Sequence, residues 1–289
     1  LARLQVEEYD EIICLDKEPF STAAAVLTGT MIEIDREEKG IKQKRRTIRK
    51  GFLMQEQGNI CPANKEAEYT FSLGLSDELK FKKNKKTYQQ LIYEVCGLKY
   101  EKDEYVFKLT DEEIDFARNK FGSRLKPNKP VIGLNIGSDK MFTGKAWRVQ
   151  GFIELAQKIY NDTGANILIL GGAEERRKNK ILLDKIKAPI IDTGCDNDLR
   201  QFAGIINLCD IIVTGDTLCL HIGIALKKKI AALFASTCAQ EIDLYNRGEF
   251  IISPAECAPC YRKDCPYDLK CMDLISVDSV YTAVKGLLK

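Results

Sequence analysis

Five stretches set the fold: VIGLNIG at 131–137, NILILGG at 166–172, PIIDTG at 189–194, DIIVTGD at 210–216 and KIAALFAS at 229–236. Each is a short apolar run that ends in small residues. Helical patterns lie between them: one from Val149, one from Ala173, one over Asp198 to Leu208, and TLCLHIGIAL from Thr217. In the first helix Val149, Phe152, Leu155, Ala156 and Ile159 share one face, while Glu154, Gln157 and Lys158 share the other. Strands separated by helices of this length predict right-handed βαβ crossovers. They imply an α/β domain of Rossmann type, with a parallel sheet covered on both faces.

Upstream the pattern loosens. One strand is clear, Ile12 to Leu15, followed by a basic stretch, a polar loop GNICPAN (58–64) and helices near Lys65 to Leu73 and Thr87 to Cys96. A lone strand cannot stand as a sheet. The chain also opens without Met, in a helical pattern (LARLQVEEYD) that feeds the strand. Both features set the expectation that N-terminal strands are missing. A charged helix, LTDEEIDFARNKF (109–121), then leads into LKPNKP (125–130), whose prolines and Asn mark a boundary. The expected domains are 1–127 and 128–289.

Bulk composition narrows the class. The 289 residues are 45% hydrophobic, ample for a buried core. Lys plus Arg (44) and Asp plus Glu (42) leave a formal charge of +2, which gives the whole chain no electrostatic reason to bind nucleic acid. No apolar run approaches the ~20 residues of a membrane span, so a cytoplasmic location is expected. Seven of the eleven cysteines are scattered singly, at Cys14, Cys61, Cys96, Cys195, Cys209, Cys219 and Cys238, where a thiol packs as a small hydrophobe.

In an open parallel sheet, ligands collect at the carboxyl ends of the strands, where helix N-termini offer N–H groups and positive dipoles. Here those ends read Gly137-Ser138-Asp139, Gly171-Gly172-Ala173-Glu174-Glu175, Thr193-Gly194 and Thr214-Gly215-Asp216-Thr217. Taken singly, each is an ordinary βα turn. Neither GxGxxG nor GxxxxGK[ST] follows a strand, so the common dinucleotide and P-loop fingerprints are lacking. Lys145 sits in the loop after the first strand, within reach of a diphosphate at a neighbouring helix N-terminus. His221, the single histidine, lies five residues after Asp216 in the first turns of a helix. Its apolar neighbours Leu220 and Ile222 equally suit a core histidine. A carboxylate such as Asp216 beside an anion site repels phosphate unless it accepts sugar hydroxyls, so the set points to a ligand with both phosphate and sugar.

The ordered set GLNIGS (133–138), Lys145-Ala146-Trp147, ILGGAEE (169–175), DLRQFAGIINLCDIIVTGDT (198–217) with the following His221, and CAPC (257–260) resembles the ADP-heptose:lipopolysaccharide heptosyltransferases, glycosyltransferase family 9. The resemblance implies a GT-B fold of two Rossmann-like domains with parallel sheets, the N-terminal one incomplete in this chain and on the acceptor side. The C-terminal domain would hold the nucleotide-sugar. The activity implied is inverting transfer of heptose, or a related sugar, from ADP-heptose to a lipopolysaccharide inner core, with no required cofactor. Lys145 and the amides around Thr217 would bind the diphosphate, with Ser138 nearby. Glu174 or Glu175 would take the ribose hydroxyls, and Asp216 and His221 would contact the sugar or its phosphate. The family pattern Asp-Thr/Ser-Gly-x-x-His departs here at Leu218, which limits how closely backbone approaches phosphate. The family's catalytic base belongs to an opening strand and Gly-Asp loop without a match in this sequence. Two other readings share these residues: a nucleotide-sugar epimerase of the same architecture, and a noncatalytic nucleotide-sugar-binding protein.

Two motifs remain. The basic segment Lys39 to Lys50, with Lys42, Lys44, Arg45, Arg46, Arg49 and Lys50, reads as a solvated loop or as a contact for anionic lipopolysaccharide or the cytoplasmic face of the inner membrane. Cys257, Cys260, Cys265 and Cys271 have spacing near that of small zinc loops, which makes a structural zinc one reading and reduced thiols or a disulfide the other.

Overall fold

The computed structural model describes every residue except 1–8, 29–34, 39–40, 45–46, 138–144 and 268–269, and only the backbone of 35–38 and 41–44. The first eight of the ten residues of the opening helical pattern thus lie outside the described residues. The chain folds as two compact units, Leu1–Asp103 and Glu104–Lys289.

In the first unit, β1 (Glu11–Cys14) is followed by α1 (Pro19–Leu27), an antiparallel ribbon of β2 (Asp35–Glu38) and β3 (Ile41–Lys44), β4 (Ile48–Met54) and β5 (Ile60–Pro62). Helices α2 (Lys65–Leu73) and α3 (Tyr88–Val95) complete it. The strand at Ile12 is not alone, which corrects the sequence reading: β1 pairs in parallel with β4, and β4 pairs antiparallel with β5. Charge and a backbone break disguise β4. Arg49 and Lys50 interrupt its apolar alternation, and Gly51 adopts φ 89° opposite Cys14. Phe52, Ala67 and Val95 form the small core.

The second unit carries a six-stranded sheet, all parallel, in the order β11-β10-β9-β6-β7-β8. Its elements in sequence are α4 (Asp111–Phe121), β6 (Val131–Asn135), α5 (Val149–Thr163), β7 (Asn166–Leu170), α6 (Arg176–Lys185), β8 (Ile191–Asp192), α7 (Leu199–Asn207), β9 (Ile211–Gly215), α8 (Leu218–Ala225), β10 (Lys229–Phe234), β11 (Gly248–Ile252) and α9 (Val277–Leu287). This is the Rossmann strand order, and the sequence switches direction between β6 and β9. Side-chain alternation divides the faces as expected of a sheet. Ile132, Leu134, Ile167, Ile169 and Val213 pack with Phe152, Leu155 and Ile159 of α5 and Val280 and Val284 of α9. Leu168, Leu170 and Ile212 turn the other way, onto Ala117 and Phe121 of α4 and Ala203 and Ile206 of α7. Each such side chain, fully buried, contributes roughly 1.5–3 kcal/mol.

The unit begins at Glu104, whereas the proline-marked division expected from sequence falls at 127/128. Capping explains where α4 starts. Thr110 accepts from Glu113 N at 3.4 Å while the Glu113 carboxylate accepts from Thr110 N at 2.8 Å. Arg200 on α7 then donates to Glu113 at 2.5 and 2.7 Å, tying α4 to the sheet's covering layer.

Candidate functional site

The carboxyl ends of β6 and β9 meet at the switch point, and one side chain links them. The Asn135 amide, last in β6, donates to the hydroxyls of Thr214 and Thr217, each at 3.0 Å, and those hydroxyls are 3.0 Å apart. Thr217 is the N-cap residue of α8, yet its side chain makes no capping bond. Its hydroxyl serves the network with Asn135 instead; Leu220 N–H donates to Thr217 O at 3.0 Å, and the N–H groups of Leu218 and Cys219 at the start of α8 are left for another acceptor.

A cleft of ≈ 600 Å³ opens over this point, lined by Asn135, Gly137, Lys145, Gly171, Gly172, Glu175, Asn197, Asp198, Leu199, Phe202, Asp216, Thr217, Leu218, Cys219 and His221. A second helix end faces it, that of α7, but there Asp198 accepts from Gln201 N at 2.8 Å as a regular cap. A carboxylate already occupies that terminus. An anion entering the cleft is therefore directed to α8.

Lys145 reaches the same point. Its ammonium pairs with Asp216 Oδ2 at 2.9 Å, with the two side chains only 15% and 19% exposed. Residues 145–147 are held from both sides. Trp147 is buried, donates from Nε1 to Ile275 O at 3.0 Å and packs edge-on against Phe152. The Lys145 carbonyl lies against Gly215, where a Cβ would come within 3.0 Å. The pairing also resolves the problem that Asp216 posed: with its charge met by Lys145, it no longer faces an incoming phosphate alone.

His221, one turn into α8, is half-buried, with Nε2 3.9 Å from Asp216 Oδ1. Burial lowers its pKa below the ordinary imidazole value; Asp216 opposes this and Lys145 adds to it. The ring is thus neutral near pH 7. On its far side Tyr105 stacks at 6.1 Å between ring centres, with the planes 13° apart, and its hydroxyl lies 3.4 Å from Nδ1.

Of the predicted pair after β7, Glu175 lines the cleft and accepts from Gly172 N at 2.9 Å, while Glu174 is exposed beside it. Ser138 lies outside the described residues. Leu218 is 57% exposed at the mouth of the cleft, and Leu199 is 52% exposed. With Phe202 they give the cleft an apolar wall suited to a flat base. Sequence reading missed Asn135, an amide ending an otherwise apolar strand, and Tyr105, which nothing in the local pattern ties to His221. Cys219 is no nucleophile, because burial pushes its thiol far up.

The other two motifs behave differently. Arg49 donates to Thr28 O at 3.0 Å, and Lys50 donates to Cys96 O at 2.8 Å and pairs with Glu11 at 2.7 Å, so both are structural contacts of the first unit. Lys39, Arg45, Arg46 and the side chains of Lys42 and Lys44 lie outside the described residues. Cys257, Cys260, Cys265 and Cys271 line one pocket of ≈ 90 Å³ as free thiols. Among the described residues, no three His, Cys, Asp or Glu stand close enough together to hold a metal ion. Cys257 is exposed on an irregular loop while Cys271 is buried at its far end. No helix among the described residues is long and apolar enough to cross a membrane.

A family model described as glycosyltransferase family 9 (heptosyltransferase) matches residues 76–271. Lipooligosaccharide heptosyltransferase 2 of Campylobacter jejuni serotype O:2 is 25% identical over 170 residues, 57% of this chain and 53% of its own length. The chain thus spans about half the length of the curated relatives it matches. Among solved structures, a family 9 glycosyltransferase from Veillonella parvula superposes with a TM-score of 0.63 at 20% identity, over 72% of this chain and 61% of that one. The E. coli heptosyltransferase WaaC with ADP gives 0.57 at 14% identity, over 99% and 75%. At these identities the structural likeness shows the fold, of the GT-B class.

Proposed function

Because the chain belongs to glycosyltransferase family 9, we propose that its cleft binds the nucleoside diphosphate of an ADP-heptose-type donor. In this reading the protein transfers the sugar, with inversion, to a lipopolysaccharide inner-core acceptor at the cytoplasmic face of the inner membrane. The observation that carries the reading is the convergence of Lys145, Asp216 and the uncapped start of α8 on the sheet's switch point.

The donor's diphosphate lies against the first turn of α8, with Lys145 shared between it and Asp216. Its base rests on Leu199, Phe202 and Leu218, and the ribose hydroxyls reach Glu175. By the family resemblance Ser138 joins the diphosphate contacts, and Glu174 is the outer member of the acidic pair. As the bond from the anomeric carbon to the phosphate oxygen breaks, charge grows on the departing diphosphate. The Lys145 ammonium, the α8 dipole and the His221 N–H are placed to stabilise it. This chemistry calls on no cofactor. A structural zinc on the four-cysteine loop is a finer reading that requires the loop to draw its thiols together; purified protein without equimolar zinc ends it.

Calorimetric titration with ADP tests the site. ADP should bind the wild type and raise its melting temperature, and Lys145→Met should lose at least ten-fold in affinity, a loss of about 1.4 kcal/mol or more. A wild type that binds no purine or pyrimidine diphosphate would overturn the proposal.

A further inference from the structure

We propose that Tyr105 is a positioning residue for His221: its hydroxyl donates to Nδ1 and keeps the imidazole proton on Nε2, aimed at the phosphate that the cleft takes beside Asp216. The role toward phosphate rests on the donor-site reading above, whereas the hold on the ring does not.

The two ring nitrogens of His221 face different groups. Nε2 looks toward Asp216 Oδ1 at 3.9 Å, and Lys145 lies on that carboxylate's other oxygen at 2.9 Å. A carboxylate only accepts, so the proton of the neutral ring is best placed on Nε2. Nδ1 then presents a bare lone pair inside a half-buried site, and the group next to it is the Tyr105 hydroxyl at 3.4 Å. A phenol O–H donating to that lone pair completes the arrangement, and the second ring nitrogen's partner sets the tautomer. The opposite tautomer would aim a lone pair at Asp216 and at any phosphate.

Tyr105 is itself firmly placed. It packs against the apolar cluster that includes Leu220, Ile224 and Leu244, and its ring lies edge-on to Tyr245 at 6.5 Å. The preceding residue is pinned as well: Glu104 accepts from both terminal nitrogens of Arg247, at 3.0 and 2.9 Å. A two-pronged guanidinium–carboxylate contact of this kind fixes orientation as well as distance. Thus β10–β11 connector residues hold the strap that holds the histidine.

The chain's single histidine makes the test direct. Uniformly 15N-labelled protein is examined near pH 7.5, without ligand, by long-range 1H–15N correlation, in which every imidazole signal is His221. The wild type should show a protonated Nε2 and an Nδ1 resonance displaced to lower frequency by the bond it accepts. Tyr105→Phe keeps the ring and its packing, and should return that resonance to higher frequency. The variant should also bind ADP about five-fold more weakly, the worth of one ordinary hydrogen bond. A wild type protonated at Nδ1 would overturn the proposal without any variant. So would an Nδ1 resonance indifferent to Tyr105→Phe, or an ADP affinity unchanged by it. A wild type that binds no ADP, with its Nδ1 displaced as expected, would instead fail the donor reading and confine Tyr105 to the ring.

Discussion

His221 shows how one side chain carries both stability and function. Its folded pKa lies below its ordinary 6.5 because burial disfavours the charged ring, an effect that outweighs Asp216. The unfolded chain therefore takes up the proton first as the solution is acidified. The stability tied to the neutral ring is complete above pH 6.5 and is lost as pH falls through the folded value. Melting temperatures between pH 7.5 and about 5.5 should accordingly fall more steeply for the wild type than for His221→Asn, and parallel curves would count against a buried neutral imidazole. Asp216 and Thr217 are legible in the sequence because a charged or hydroxyl residue at the end of an apolar run stands out, His221 because it is the single histidine, and Lys145 only by its place in the ordered set of motifs. Their pairing is not. The sequence suggests separate tasks for Lys145 and Asp216, whereas the structure joins them at 2.9 Å, a distance that depends on how Trp147 and Gly215 seat Lys145 itself.

At the level of elements, the packing of α4 on α7 depends on Gly204. A Cβ there would lie 2.4 Å from the Glu113 carbonyl oxygen, a backbone atom that cannot move without shifting α4. Gly204→Ala should destabilise the protein by roughly 1–3 kcal/mol through overpacking, although alanine favours helix more than glycine does. Chemical denaturation would read the change, and a stabilised variant would show that the two helices separate at little cost. How fully a strand is buried decides how plainly it is legible in the sequence. Strands β6, β7 and β9 are buried along their whole length and present uninterrupted apolar runs, so their type and order were plain. β4 was not, since Arg49 and Lys50 look like part of a charge run until their bonds to Thr28 and Cys96 are known. β11 was also missed: GEFII leaves Glu249, Phe250 and Ile252 exposed on the sheet's outer edge, where the apolar signal is broken.

For the whole molecule, the two candidate boundaries make opposing demands on a fragment. Pro127, Asn128 and Pro130 punctuate the sequence strongly, but punctuation reports local backbone and not where the core ends. Ala117 and Phe121 are 0% and 2% exposed, packed with Ala203, Ile205 and Ile206 on the sheet face that holds Leu168 and Leu170. Arg200 reaches across to Glu113 and to Lys108 O, and Arg247 to Glu104. A fragment of residues 104–289 retains all of these and should fold alone, bind ADP and melt cooperatively. A fragment of 128–289 bares the apolar face of α7, leaves Arg200 and Arg247 without their carboxylates and strips Tyr105 from His221. Losing Phe121 alone resembles a large-to-small core change of about 3–5 kcal/mol, much of the ~5–15 kcal/mol that a domain usually has. The shorter fragment should therefore melt far lower or aggregate on size-exclusion chromatography. If instead it melted as high as 104–289 and bound ADP as well, residues 104–127 would be a dispensable linker and the core would end at the prolines after all.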